Sequence, residues 1–317
     1  MTKHIPVLLD EALTSLNLKE DSIVVDATLG YAGHSSNILK KIKRGHLFAF
    51  DQDSEAIRQS TDRLSPIGTN FTIYHTNFRN LKKSLNEDNI YKVNGFLFDL
   101  GVSSPELDED SRGFSYHKEA KLDMRMNKDQ KLSAYEVVND YSEENLREIF
   151  YKYGEDKYSR SIAKNICKYR VDKKIETTTE LAEVIKNSVP MKERRKHHPA
   201  RQIFQAIRIE VNDELNSLEI ALNDALDMLD INSVIAVISF HSLEDRIVKN
   251  IFKERTHIDE KLKGLPNINE DLLPDYEIVN RKPITPSEEE LERNPRSRSA
   301  KLRVIKRIKR KEETHEK

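Results

Sequence analysis

Four turns in the first hundred residues carry side chains whose types and spacing suit ligand chemistry. Asp26-Ala-Thr-Leu-Gly30-Tyr-Ala-Gly33-His34 places two glycines between an apolar run and a helical pattern. Glycine lets backbone approach a ligand closely, and the helix N-terminus that follows favours an anionic group. Asp51 and Asp53 fall at the end of the next apolar run, about 20 residues on, the spacing at which an acid binds the two hydroxyls of a ribose. Asn77-Phe78 offers a polar group and a ring that could stack on adenine. Asp99-Leu-Gly101-Val-Ser103-Ser104-Pro105 sets a carboxylate, a glycine and two hydroxyls where a reacting group lies in an open α/β sheet.

Taken singly, each turn has a bland counterpart: a helix-capping glycine, a solvated acid, a core Phe, a satisfied turn Asp. The glycine turn and the acid occurring together on successive strands favour an adenosine-containing ligand. A dinucleotide calls for G-x-G-x-x-G, whereas G-Y-A-G lacks the third glycine, which counts against NAD.

The chain carries 53 Lys+Arg against 54 Asp+Glu over 317 residues, a net charge of -1 that excludes a uniformly basic coat for a polyanion. The bases are nevertheless segregated. Residues 191–208 hold Lys192, Arg194, Arg195, Lys196, Arg201 and Arg208 against Glu193, interleaved with His197, His198 and Phe204. Residues 296–311 hold nine bases, among them Arg296, Arg298 and Arg303, and no acid; alternation in LRVIKRI puts bases on one strand face. A single charge run reads as a solvated face, but two such patches in a near-neutral chain fit a phosphate-bearing partner. His197 and His198 are adjacent, point in different directions and have no Cys or acidic cluster beside them, so no metal is expected. His241 falls at the same sheet edge as Asp99, with helix capping or substrate contact as its two readings.

The elements that position these turns are short apolar runs alternating with helical patterns. Residues 22–30, 45–53, 71–78 and 93–101 read as strands, with a helix capped by Ser54 among the connections, which implies a parallel sheet with right-handed crossovers. From Pro105 to Asp230 the pattern turns helical and ends in one long run from Arg201 to Asp230, whose Ile207, Val211, Leu215, Leu218, Leu222, Leu226 and Leu229 form one stripe. SVIAVISF (233–240) resumes the sheet, Ser242 and Asp245 form a capping-box pattern, and 275–285 and 300–308 read as two last strands around an acidic segment. The expected organisation is a sheet domain over residues 1–104 and 216–310, a helical insertion over 105–215 and a frayed tail over 311–317. The lone Cys167 excludes an intrachain disulfide and reads as an inert buried thiol. With Asp10 and Glu11 interrupting the N-terminal apolar residues and no apolar segment near membrane-spanning length, a cytoplasmic protein is expected.

DATLGYAGHS, FDLGVSSPELD with RGFSY and LDMRM after it, HPARQIFQAIRIEVNDEL, ISFHSLEDRIVK and NPRSRSAKLRV together resemble the RsmH/MraW family of S-adenosylmethionine-dependent methyltransferases of small-subunit ribosomal RNA. The likeness runs from His4 to Lys309. It implies a Rossmann-like class I methyltransferase sheet, mostly parallel with the last strand antiparallel, and an inserted α-helical domain. The implied reaction is N4-methylation of a decoding-site cytidine in bacterial 16S rRNA, with S-adenosyl-L-methionine as cofactor. The implied setting is the small ribosomal subunit in the cytoplasm, with no membrane partner and a homodimer allowed. By motif position, cofactor contacts fall on Ala32, Gly33, His34, Asp51, Phe78, Asp99 and Glu106. The family commonly has Gly where Ala32 stands and Gln where Glu106 stands. No Asp-Pro-Pro-Tyr block is present, so Asp99, aided by Ser103 and Ser104, is the catalytic candidate. RNA contacts are expected from Arg194, Arg195, Lys196, Arg201, Arg296, Arg298 and Arg303. The competing expectations are a methyltransferase of another nucleic acid or a protein, and a nonenzymatic ribosome assembly factor.

Overall fold

Runs too short for independent helices and rich in Val, Ile and Phe form the strands of one sheet. The computed structural model describes residues 5–102, 110–195, 198–260 and 272–309. The chain divides into two units, one of residues 1–101 with 215–317, the other of residues 102–214.

In the first unit, β1 (Ile23–Asp26), β2 (His46–Asp51), β3 (Phe71–His75), β4 (Val93–Asp99) and β5 (Leu229–Ser239) are parallel. With β6 (Tyr276–Ile278) and β7 (Lys301–Arg307) they form a seven-stranded sheet in the order β3-β2-β1-β4-β5-β7-β6. β7 runs antiparallel to both of its neighbours, β5 and β6. Strand order reverses between β1 and β4, so the carboxyl ends of these strands flank the crevice where such sheets take ligands. Successive strand residues face opposite sides, and both sides are apolar. Val25, Phe48, Phe50, Phe96 and Phe98 belong to one core; Val24, Leu47, Ala49 and Leu97 belong to the other. The second core includes side chains of α1 (Leu9–Leu16) and α2 (Gly33–Lys41). The connections add α3 (Ser54–Leu64) and α4 (Leu81–Glu87).

The second unit is helical: α5 (Ala134–Asp140), α6 (Glu143–Lys152), α7 (Ser159–Asp172), α8 (Thr178–Asn187), α9 (Met191–Arg194) and α10 (Ala200–Asn212). Ser133 with Glu136 and Thr177 with Glu180 form capping boxes that fix the starts of α5 and α8. Val137, Leu146, Phe150, Ile162, Ile185 and Ile203 are buried in its core. Cys167 is half-buried at the edge of that core, and burial pushes its thiol upward in pKa.

Several local expectations are corrected. The long run over 201–230 is two helices: α10 ends at Asn212, Asp213 takes a left-handed conformation (φ 47°), and α11 (Glu214–Met228) follows. Asp is among the few residues that tolerate this conformation. The single stripe therefore serves two cores: Ile207 and Val211 lie in the helical one, whereas Leu218, Leu222 and Leu226 lie under the sheet, in the same core as Leu229, the first residue of β5. Asp53, not Ser54, caps α3, its carboxylate accepting the Glu55 N–H. The capping box of α12 (Ser242–Arg255) is His241 with Glu244, one position before the pattern read from sequence. Beyond Ile278 the 275–285 segment leaves the ladder, apart from an isolated bridge at Ile284. The acidic segment contains α13 (Glu288–Arg293), whose Glu290 accepts the Leu8 N–H. The alternation expected for β7 fails at Ile305 and Arg307, both buried, because both faces of the strand are covered: Leu302 and Val304 lie in one core and Ile305 in the other. Among the described residues, no helix is long and apolar enough to cross a membrane.

Candidate active site

The turn after β1 is built by two carboxylates acting as acceptors. Buried Asp26 accepts the Thr28 N–H at 3.1 Å and the Ser35 hydroxyl at 2.6 Å, joining the strand end to α2. Asp51, at the end of β2, accepts the Gly30 N–H at 2.8 Å and the Asp53 N–H at 2.8 Å. Gly30 has φ +50°, the left-handed region where a side chain is disfavoured. Ala32 adopts the same region (φ 55°) with its methyl buried, and α2 starts at Gly33 with no side-chain cap. The first N–H groups of α2 thus have no capping side chain, which is the arrangement that takes an anionic group.

Asp99 ends β4 on the other flank of the crevice. Its backbone N–H donates to Thr28 Oγ1 at 2.7 Å, which ties the two strand ends together. The side chain is 21% exposed and its Oδ2 lies 3.5 Å from Nδ1 of His34, a residue 5% exposed on α2. The other nitrogen of that ring, Nε2, lies 3.0 Å from the Val7 carbonyl oxygen. Asp99 Oδ1 is buried and has no hydrogen-bond partner. Burial pushes the Asp99 carboxyl well above the usual range, and the acids Asp26 and Glu244 push it the same way. Asp26 is also raised, because burial outweighs its bonds from Ser35 and Thr28. An orphaned buried carboxyl oxygen beside an uncapped helix start fits a ligand with a cationic and an anionic end. A sulfonium cofactor bearing a carboxylate meets that test, so the residues present suit the cofactor that the resemblance implies.

The remaining sequence candidates have defined surroundings. Phe78 opens a short 3-10 turn, half-buried, its ring edge-on to Phe98 at 6.1 Å. Asn77 caps that turn through the Arg79 N–H and donates to Gln52 Oε1 at 3.2 Å. His241 has the capping role: its Nδ1 accepts the Glu244 N–H, and Glu244 Oε2 accepts the N–H groups of Phe240 and His241. Ser103, Ser104, Glu106 and Lys196, with His197, lie outside the described residues.

The basic segments divide into exposed and internally held groups. Arg195 and Arg201 are exposed in the helical unit; Arg194 is half-buried and donates to the Val189 carbonyl at 2.7 Å. Arg208 is paired with Glu214 at 2.8 Å. His198 stacks on Tyr116 with ring centroids 4.6 Å apart, and Phe204 meets the same Tyr edge-on. In the sheet unit Arg296 and Arg298 are exposed, but Arg303 is bonded to Asp245 through Nε at 2.7 Å and Nη2 at 3.3 Å. Lys301 joins the same carboxylate at 3.2 Å, and buried Arg307 donates to the Leu229 carbonyl. A guanidinium held in this way is a strand-to-helix brace, which corrects the expectation that Arg303 presents a free charge.

Three contributors had no role of their own in the site read from sequence: Asp26, Thr28 and Glu244. The first carries the same signal as Asp51 and Asp99, an acid closing an apolar run. The other two had none, because Thr28 acts through a neighbouring strand and Glu244 from the far end of the chain.

Two comparisons with known proteins, a family model and a sequence relative, show one family. Residues 1–308 match the model of the MraW methylase family. A protein of Streptococcus mutans serotype c described as ribosomal RNA small subunit methyltransferase H is 55% identical over 309 residues, spanning 96% of this chain and 98% of that protein. Among solved structures, an rRNA methylase from Streptococcus thermophilus aligns at 12% identity with a TM-score of 0.45, covering 98% of this chain and 99% of its own. A methyltransferase structure from Streptococcus mutans in complex with SAH aligns at 10% identity with a TM-score of 0.44, covering 96% of this chain and 99% of its own.

Proposed function

The chain belongs to the MraW methylase family, and from that premise we propose that it methylates the N4 amine of cytidine 1402 in 16S rRNA. It is an S-adenosylmethionine-dependent methyltransferase of small-subunit ribosomal RNA. The observation that carries this reading is the family match over residues 1–308. The cytoplasm and the small ribosomal subunit are the proposed setting.

When bound, the cofactor supplies a methyl group activated by a sulfonium. Ala32, Gly33 and His34 would hold it at the start of α2, Asp51 would take the ribose hydroxyls and Phe78 would lie by the adenine. Asp99 and Glu106 complete the proposed set. The lone pair of an exocyclic cytosine amine is delocalised into the ring, so the amine is a poor nucleophile until an acceptor engages one N–H. Asp99 is the proposed acceptor, since its Oδ1 is buried without a partner; Ser103 and Ser104 are proposed as further hydrogen-bonding groups. The protein's own work is to align the reactants and exclude water. The target base must leave its stack to reach the strand ends. Arg194, Arg195, Lys196 and Arg201 on the helical unit, with Arg296 and Arg298 on the sheet unit, are proposed to hold the RNA backbone. Arg303, braced by Asp245, is left out of that set.

The test incubates the protein with methyl-labelled cofactor and, separately, small subunits, naked 16S rRNA, DNA and protein. Label on the N4 amine of cytidine 1402 is expected. Label confined to DNA or protein would refute the substrate assignment, and cofactor binding without any transfer would refute the enzymatic one.

A further inference from the structure

We propose that Asp99 and His34 hold one shared proton in the cofactor-free protein, and that loading the sulfonium cofactor expels it. Asp99 then becomes a carboxylate only when the methyl donor is in place, with His34 as the residue that positions its proton. The proposal deepens the function given above and takes from it the placement of the cofactor beside Asp99.

The tautomer of His34 favours the proton. The Val7 carbonyl only accepts, so Nε2 of His34, 3.0 Å away, must carry a hydrogen. In a neutral ring that leaves a lone pair on Nδ1, and this atom lies 3.5 Å from Asp99 Oδ2. A lone pair facing an ionised carboxylate is repulsive. The contact becomes attractive when a proton sits on the carboxyl or on Nδ1, and both placements give the pair zero net charge. The surroundings favour that neutral pair. Asp99 Oδ1 is buried with no hydrogen-bond partner, so no N–H or O–H stabilises a negative charge there. Two further groups act on the carboxyl, Asp26 from β1 and Glu244 from α12, and both are acids that oppose another negative charge. The Asp99 backbone N–H is occupied by Thr28 Oγ1.

A positive ligand beside Asp99 reverses the preference, and the pair gives up its proton to solvent. During transfer the amine nitrogen gains the methyl group and gives one hydrogen to Asp99. The carbon–sulfur bond breaks with its electron pair remaining on sulfur. The pair is again neutral, now beside an uncharged thioether. Amine and sulfonium yield the N-methylated amine, a thioether and one proton, but the proton reaches solvent at loading, before the chemical step.

Calorimetric titration of the full-length protein in buffers of different ionisation enthalpy counts the protons. S-adenosylmethionine is expected to release about one proton near pH 7, and S-adenosylhomocysteine, which lacks the charge, close to none. Asp99→Asn should abolish the difference. His34→Gln, which retains an N–H for Val7 but no ring base, should shrink it. An infrared carboxylic-acid band is expected in the cofactor-free protein, lost on adding S-adenosylmethionine and absent from Asp99→Asn. Equal release with both ligands, or binding of S-adenosylmethionine with none, would overturn the proposal and leave the methyltransferase function standing. Failure of either ligand to bind would overturn both.

Discussion

Replacing Arg303 by methionine separates a structural base from an RNA-binding one. The guanidinium makes two bonds to Asp245, at 2.7 and 3.3 Å, and each side chain is 14% exposed. Removing one partner of a fully buried pair costs about 3–5 kcal/mol, and an exposed pair is worth about 0–1 kcal/mol. This pair lies toward the buried end, but Asp245 would retain Lys301 at 3.2 Å. The methionine also preserves most of the aliphatic packing. A loss of about 2 kcal/mol is expected, which for a unit of about 200 residues lowers Tm by roughly 4–8 °C. Calorimetry reads that shift, and titration of 16S rRNA binding across a salt series reads the electrostatic contacts. The salt slope should not change, because a cation already neutralised by Asp245 displaces no counterions from phosphate. A reduced slope with an unchanged Tm would refute the brace and restore Arg303 to the RNA surface.

Exposed cations should behave in the opposite way: Arg201→Ala and Arg298→Ala are expected to lower the RNA salt slope by about 0.7–0.9 per lost phosphate contact, leaving cofactor affinity and Tm unchanged in parallel titrations. Asp99→Ala should cut the single-turnover methylation rate by roughly 10²–10⁴-fold; wild-type cofactor affinity together with a wild-type rate would disprove its role. Gly30→Ala forces a side chain into a left-handed conformation, at about 1–2 kcal/mol in urea unfolding; the nearest neighbour of the added carbon is 3.9 Å away, so strain rather than crowding sets the cost. Burial raises the Asp245 carboxyl, but bonds from Arg303 and Lys301 outweigh it and hold the group below its usual range. Stability from that depression is present above the unfolded pKa of about 3.9 and is lost as pH falls through the lower folded value. The stability gap between wild type and Arg303→Met should therefore narrow in urea melts below about pH 4.

The acids at the ends of apolar runs made the site's outline legible, because a strand boundary followed by a helix is written locally. Asp26, Asp51 and Asp99 could be placed at one edge of a parallel sheet on that basis. What those acids touch was not legible. His34 reads as a helix residue, and nothing local shows that its ring spans from Val7 to Asp99. Arg303 was grouped with the free bases because the acid holding it lies 58 positions earlier and reaches it only through the sheet. Periodicity joined α10 and α11 because a single left-handed Asp213 leaves the apolar spacing intact while redirecting it to a second core. The box at His241 was displaced by one residue because Ser is the commoner cap and only the geometry shows the imidazole in that role.

The position of β7 inside the sheet governs when, during synthesis, this enzyme can exist. Residues 102–214 are continuous in sequence and have their own core, so they can fold while the chain is still being made. The sheet has no such independence. Among the described residues, β5 finds its last neighbour, and β6 its only one, in Lys301–Arg307. Glu290 must also return to Leu8, 282 positions earlier. Pairings this distant in sequence form late and slowly. The sheet of an enzyme that modifies ribosomal RNA therefore stays unfinished on the ribosome until Lys301–Arg307 has been made.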